Sequence, residues 1–231
     1  MSNNVYQLKQ FSLQIFNQKE YRQLKNEIFT NHCYFFESSN LKPKIIDVGA
    51  YYGLSILYFK SIYPHCYITA FEPQPSAFSL LKKNIAKNNL DNIQLLNLAL
   101  SNVAKLTTIY SEDSPDQWFS NSSLSPTFYL NQKKKTYLIH TEILDRYLNN
   151  TLDLLKIDTE GWESKILLKS QNLNFVKKII VEFHPIKTNN FAILINHLKK
   201  YFTLFFYQEN KQKSINNLIL TKLLIIEGWK K

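Results

Sequence analysis

The sequence predicts an α/β protein: a doubly wound, mostly parallel sheet closed by a C-terminal antiparallel hairpin. Three observations carry that prediction. From residue 44 onward, strand-length apolar runs alternate with segments of helical period. Glycine is scarce, with 4 in 231 residues, where average usage near ~7% would supply about 16. Two of the four, Gly49 and Gly53, share the loop after the first strand of the alternation. Acidic residues also stand at the ends of several strands, where the crevice of such a sheet opens.

Residues 1–40 mix Asn, Gln, Lys and aromatics, and Phe16, Tyr21 and Leu24 suggest short helices forming an N-terminal extension on a main domain of residues 41–231. Lys44 to Val48 reads as a buried strand, and Leu54, Leu57, Tyr58 and Ile62 then recur at helical spacing. Tyr67 to Phe71 is a second strand. Pro75 suits a first helical turn and opens a helix with Phe78, Leu81 and Ile85 on one face. Ile93 to Leu98 is a third strand, and right-handed crossovers make the three parallel. Between 103 and 147 the alternation lapses into β-like pieces at Leu106 to Tyr110 and Thr136 to His140, around the polar stretch Ser111 to Ser125. This region reads as an insertion over the functional edge. Leu152 to Ile157, Trp162 to Leu168, Lys178 to Phe183 and the face Phe191, Leu194, Ile195 and Leu198 resume the pattern. Phe202 to Tyr207 and Asn217 to Leu220 read as the terminal hairpin.

Composition excludes several classes. Lys and Arg number 28 against 18 Asp and Glu, a formal charge of +10, yet only Arg22 and Arg146 are arginines. Readers of nucleic-acid sequence depend on bidentate arginine, and the lysines here are dispersed, so no specific nucleic acid is expected. The run Lys133 to Lys135 reads as a solvated loop, with weak contact to anionic surfaces as its strongest use. Cys33 and Cys66 make no disulfide framework, and no Cys or His pair has zinc-ligand spacing, so no structural metal is expected and no metal ligand is assigned, although three clustered acids such as Asp158, Glu160 and Glu163 are of a kind that can hold Mg²⁺. No apolar run reaches the ~18 residues of a membrane span, and the start MSNNVYQLKQ has no signal-peptide pattern. A cytoplasmic protein is the expectation.

The loop Asp47-Val-Gly-Ala-Tyr-Tyr-Gly53 lacks both the GxGxxG dinucleotide fingerprint and the Lys-Ser or Lys-Thr of a phosphate loop. An acid beside its glycines favours a cationic ligand, such as a sulfonium or ammonium, over an anion. Glu72 ends the second strand about 25 residues after Asp47, close to the spacing at which a carboxylate accepts the hydroxyls of an adenosine ribose. Its two oxygens match two vicinal hydroxyls, and Pro73 stiffens the turn behind it. A second acidic loop, Asp158, Glu160 and Glu163, follows a later strand, with Gly161 permitting a sharp turn.

Together Asp47-Val-Gly-Ala-Tyr-Tyr-Gly53, Phe71-Glu-Pro73, Asn97-Leu-Ala-Leu-Ser101 and Leu155-Lys-Ile-Asp-Thr-Glu-Gly-Trp-Glu163 resemble the FkbM-type S-adenosylmethionine-dependent methyltransferases, in order from about Ile45 to His184. The resemblance implies a class I methyltransferase fold of Rossmann-like type. It also implies transfer of a methyl group to hydroxyl oxygens, often of sugars in natural products, polysaccharides or glycolipids. S-adenosylmethionine contacts are implied at Asp47, Gly49, Gly53 and Glu72, with Ala50, Tyr51 and Pro73 in the same loops. The family usually has Asn where this chain has Tyr51, and often His where it has Trp162, a substrate-side position.

Adenine is expected against the segment after the third strand, with Leu98 and Ala99 as wall and Asn97 or Ser101 as polar contact. Ser122, Ser123 and Leu124 resemble a further family segment on the acceptor side, where Trp118 and Tyr129 could stack on a sugar. A hydroxyl nucleophile calls for a proton acceptor, and Asp158, Glu160 and His184 are the candidates, with Glu182 able to support His184. Glu163 is a substrate-side or helix-start acid. The residues leave two other classes open. The charge of +10 would suit an RNA-binding or RNA-modifying protein, and Tyr51 and Trp162 would suit a cofactor-binding module without catalysis.

Overall fold

The structure is a computed structural model and describes residues 5–112, 122–124, 134–187 and 189–231. Strands β1 (Val5–Leu8) and β2 (Phe11–Gln14) form an antiparallel hairpin, followed by α1 (Gln18–Lys25) and a π-helical turn, Asn26–Thr30. The alternating unit then runs β3 (Lys44–Val48), α2 (Leu54–Ile62), β4 (Tyr67–Phe71), α3 (Pro75–Lys87) and β5 (Ile93–Leu96). β6 (Ala99–Ser101) follows, and the insertion contains β7 (Lys105–Glu112), β8 (Ser122–Ser123) and β9 (Lys134–Ile143), which form a sheet with it. The second half has β10 (Leu152–Ile157), α4 (Glu163–Lys169), β11 (Val176–Phe183), α5 (Phe191–Leu198), β12 (Phe202–Gln208), β13 (Lys211–Lys213) and β14 (Leu224–Lys230).

The main sheet has the order β13-β12-β14-β11-β10-β3-β4-β5. The five strands β11, β10, β3, β4 and β5 are mutually parallel, and β14 is antiparallel to both its neighbours. Strand order reverses between β3 and β10, because the chain steps outward through β4 and β5 and then returns to the other side of β3. That reversal opens a crevice at the carboxyl ends of these strands. The order of the sheet formed by β6 and the insertion is β6-β9-β7-β8.

Both faces of the main sheet are buried, and alternate strand residues divide between two cores as a period of two requires. Ile45, Leu154 and Ile180 join α2, α3 and the N-terminal segment on one face. Ile46, Leu155, Ile179 and Val181 join α4 and α5 on the other. No helix among the described residues is long and apolar enough to cross a membrane.

Two parts of the fold differ from the sequence-based expectation. The N-terminal segment opens with a β-hairpin, not a helix. Phe11 and Leu13 point inward, and Lys9 makes the tight turn at φ +52. Asn88, the C-cap of α3, and Asn84 within that helix hold the hairpin by accepting from the backbone N–H groups of Ser12 and Gln14, each at 2.8 Å. At the other end, the long partner of β12 is Leu224–Lys230, while Asn217–Leu220 lies outside the sheet with Ile219 and Leu220 exposed. Gly228 explains the choice, since a Cβ there would lie 2.7 Å from Ile179 Cγ2 and 2.9 Å from Phe202 Cβ. The strand that fits between β11 and β12 is the one with glycine at that crossing.

Candidate active site

The loop after β3 and the loop after β10 meet at the point of strand reversal. Gly49 has φ +82, and a Cβ on it would lie 1.8 Å from the Asp158 carbonyl oxygen, so only bare backbone fits. The Gly49 and Ala50 N–H groups donate to the Phe71 carbonyl at 2.9 and 3.0 Å, which ties this loop to the end of β4. Tyr51 follows at φ +50, an uncommon conformation for a bulky residue. Three contacts hold it there. Its N–H donates to Glu72 at 2.8 Å, its hydroxyl donates to buried Glu20 of α1 at 2.9 Å, and its ring lies 5.8 Å from that of Phe16.

Glu72 is almost fully buried at the tip of β4. One of its oxygens accepts from Tyr51 and the other from the Gln74 N–H, also at 2.8 Å. Burial pushes its carboxyl up to about 7, against the pull of those two N–H groups and of Lys156. Asn97 pins the turn beneath it by donating to the carbonyls of Glu72 and Pro73.

Lys156 sits at the centre of the arrangement, 2% exposed in a buried strand. Its Nζ lies 3.1 Å from Asp47 and 3.7 Å from Asp158, and donates to the Gly49 carbonyl at 2.7 Å. Burial alone would lower its pKa, but Asp47 and Asp158 outweigh that and raise it. Asp47 is fully buried and also accepts from Ser55 at 2.5 Å, so it anchors Lys156 from behind the loop.

The second acidic loop builds a chain of contacts. Glu160 has φ +52, and Gly161, at φ +95, turns the backbone toward α4. His184 Nε2 lies 3.2 Å from Glu160 and its Nδ1 lies 3.2 Å from Glu163. Glu163 is fully buried and accepts from the N–H groups of Thr159 and Gly161 at 3.1 and 2.9 Å. It also accepts from the Asn189 amide, which in turn donates to the His184 carbonyl at 2.9 Å. Burial would raise the Glu163 carboxyl, but His184 and these donors lower it. For His184 the two carboxylates overcome burial and hold the imidazole well above its usual range. Burial and neighbouring acids raise both Glu160 and Glu182. The Tyr34 hydroxyl donates to Glu182 at 3.0 Å and lies 3.5 Å from Asp158.

These parts enclose an open cleft. Its floor is Gly49, Ala50, Glu72, Lys156 and Asp158, and its apolar walls include Leu98, Leu100, Ile109 and Leu124.

A family model described as the methyltransferase FkbM domain matches residues 47–211. The chain belongs to the FkbM methyltransferase family. Methyltransferase sdnD of Sordaria araneosa is 30% identical over 194 residues, covering 68% of this chain and 72% of that protein. The 31-O-demethyl-FK506 methyltransferase FkbM of Streptomyces tacrolimicus is 34% identical over 76 residues, 32% of this chain and 29% of its own length. The crystal structure of methyltransferase FkbM from Methylobacillus flagellatus KT shares the fold at a TM-score of 0.56 and 11% identity. That match covers 84% of this chain and spans 45% of the other. The protein is thus a class I, S-adenosylmethionine-dependent methyltransferase.

Of the residues singled out in the sequence, Gly49, Ala50, Tyr51, Glu72, Pro73, Leu98, Ala99, Leu124, Asp158, Glu160 and Trp162 line the cleft. The others stand behind them. Gly53, at φ +100, starts α2 against Leu81. Ser101 accepts from Trp162 Nε1 at 2.9 Å, and the Ser123 hydroxyl donates to the Glu160 carbonyl at 2.7 Å. His184 and Glu163 back Glu160. Trp118 and Tyr129 lie outside the described residues. Sequence reasoning assigned no role to Lys156, Glu20 or Tyr34. A lysine inside Leu-Leu-Lys-Ile was a legible signal, because a buried strand carries a charge only when it is paired. Glu20 and Tyr34 had no comparable signal, since their partners are distant in sequence.

Proposed function

We propose that the enzyme methylates a hydroxyl oxygen of a sugar in a glycan, glycolipid or glycosylated natural product, with S-adenosylmethionine held in the cleft. The carrying observation is that Gly49, Glu72, Asp158 and Glu160 all face one hollow. The residues present fit that cofactor. Gly49 and Ala50 put small residues against the hollow, and each Glu72 oxygen keeps acceptor capacity beyond its one backbone N–H, as two vicinal ribose hydroxyls require. Pro73, Leu98 and Leu100 supply an apolar wall for a flat base. The acidic floor suits a ligand carrying sulfonium and ammonium charges.

When bound, the cofactor supplies a methyl group on positively charged sulfur. The chain's part is to align the acceptor oxygen, exclude water and receive the hydroxyl proton. Asp158 and Glu160 are the cleft-facing carboxylates suited to that proton, and the Glu163–His184 pair positions Glu160. Trp162 and Leu124 offer the acceptor a broad face. The name of the Streptomyces relative specifies an O-methylation, which supports oxygen as the nucleophile. The proposal includes a cytoplasmic setting, and a catalytic domain of residues 41–231 whose N-terminal extension closes one side of the cleft.

Transfer of labelled methyl from S-adenosylmethionine to cell-envelope polysaccharide, lipid extracts and glycosylated small molecules tests this. Label should appear as an O-methyl sugar and fall at least ~100-fold with Asp158→Ala. Calorimetry that showed no binding of the cofactor or its demethylated product would end the proposal, as would label found on nitrogen or carbon.

A further inference from the structure

We propose that Asp158, Glu160 and His184 form a divalent-cation site at the acceptor side of the cleft, and that the ion holds the acceptor oxygen. A ligand atom from each residue lies within 4.8 Å of the other two. Glu160 Oε2 and His184 Nε2 are 3.2 Å apart. On an octahedral ion with bonds of about 2.1 Å, adjacent donors are about 3.0 Å apart and opposed donors about 4.2 Å. The 4.8 Å limit exceeds the opposed-donor span by about 0.6 Å, so sub-ångström side-chain adjustments bring the three donors onto one coordination shell.

A second observation concerns how the imidazole is aimed. Glu163 Oε1 already accepts from the backbone N–H groups of Thr159 and Gly161, so it is an ionised acceptor and His184 Nδ1 must present its proton there. That fixes the ring with Nε2 toward Asp158 and Glu160. A carboxylate behind one ring nitrogen and a metal before the other is the usual way a ligating histidine is oriented. The backing carboxylate is fully buried, whereas the proposed ligands are partly open, at 24%, 16% and 13% exposure for Asp158, Glu160 and His184. Asp158 and Glu160 line the cleft, which leaves the ion's remaining positions facing the acceptor.

Two further carboxyl groups, Glu163 and Glu182, lie beside the three ligands, and the nearby Lys156 is closer to Asp47, at 3.1 Å, than to Asp158, at 3.7 Å. Two carboxylates and one imidazole suit Mn²⁺, Fe²⁺ or Zn²⁺ better than Ca²⁺. With open positions beside the cleft, such an ion selects acceptors that present two neighbouring oxygens, such as a vicinal diol, over an isolated hydroxyl. This role rests on the methyltransferase reading above, while the site itself can be tested separately.

The full chain, stripped with chelator and dialysed, is titrated with Mn²⁺ while the paramagnetic signal of the free ion is followed. One Mn²⁺ per chain is expected, with affinity lowered at least 10-fold by Glu160→Gln and by His184→Ala. Glu160→Gln keeps the side-chain shape, and thermal unfolding of both variants separates loss of ligand from loss of fold. Absence of saturable Mn²⁺ binding, or equal binding in a folded Glu160→Gln variant, overturns the site. Methyl transfer by chelated enzyme at the full rate of Mn²⁺-loaded enzyme overturns its role. Mn²⁺ binding without S-adenosylmethionine binding would keep the site and sink the enzymatic reading, so the two failures are distinguishable.

Discussion

On the proposed assignment of Glu72 to the cofactor ribose, cofactor affinity is a calculable function of pH. The Glu72 carboxyl lies at about 7 in the unliganded protein because burial outweighs the two backbone N–H donors that face it. Accepting two ribose hydroxyls requires the ionised form. Below pH 7 the cofactor must therefore displace a proton, at about 1.4 kcal/mol per pH unit. The dissociation constant for S-adenosylmethionine should fall roughly tenfold between pH 6 and pH 8 and then level off. Calorimetric titration across that range reads the effect directly. Glu72→Gln removes the titrating group and turns an amide N–H₂ toward one of two N–H donors, leaving a buried donor unpaired. Affinity should drop by about 2–3 kcal/mol, or 30- to 150-fold, and lose its pH dependence. Stability runs the opposite way. The folded pKa lies above the unfolded value of 4.5, so this group's contribution is present below pH 4.5 and is lost as pH rises to about 7. The loss amounts to about 3 kcal/mol in the unliganded wild type and is absent in Glu72→Gln. A flat affinity profile in the wild type, or an equal pH slope in the variant, would refute the assignment of Glu72 to the ribose.

Other perturbations have equally definite outcomes. Gly49→Ala would put a Cβ 1.8 Å from the Asp158 carbonyl at φ +82. The ends of β3 and β10 would have to part by more than an ångström, and denaturant unfolding should show a loss of about 3 kcal/mol together with abolished cofactor binding. Lys156→Met strips buried Asp47 of its cation and should cost about 3–5 kcal/mol by the same measurement. Tyr51→Phe removes the hydroxyl that donates to Glu20. It should lower stability by about 1–2 kcal/mol and weaken cofactor affinity several-fold, because the loop loses one of the contacts that hold its left-handed backbone.

The five parallel strands were legible because each is an apolar run between turn residues, and their parallel order follows from crossover handedness alone. The placement of Gly49 and Glu72 at strand ends bordering the cleft was equally legible, since local sequence determines position there. The terminal sheet was not. Asn217–Leu220 and Leu224–Lys230 are both apolar, and the fit of Gly228 against Ile179 and Phe202 is a property of packing that no local pattern records. The hairpin of residues 5–14 was hidden for a related reason, because two four-residue strands carry too few alternations to stand out. In the site, the pairing of Lys156 with Asp47 and of His184 with Glu160 joins residues far apart in sequence. Each charge was visible, and the assignment of partners required coordinates.

The placement of β14 between β11 and β12 constrains how this protein can be made. As the polypeptide leaves the ribosome, β11 emerges about 40 residues before the segment that will cover its outer edge. During that interval a row of unsatisfied amide and carbonyl groups borders the very strand that delivers His184, and β12 has nowhere to dock. Synthesis of the catalytic half thus precedes its closure. Nascent or truncated forms lacking residues 224–230 should be aggregation-prone substrates for chaperones, not smaller working enzymes.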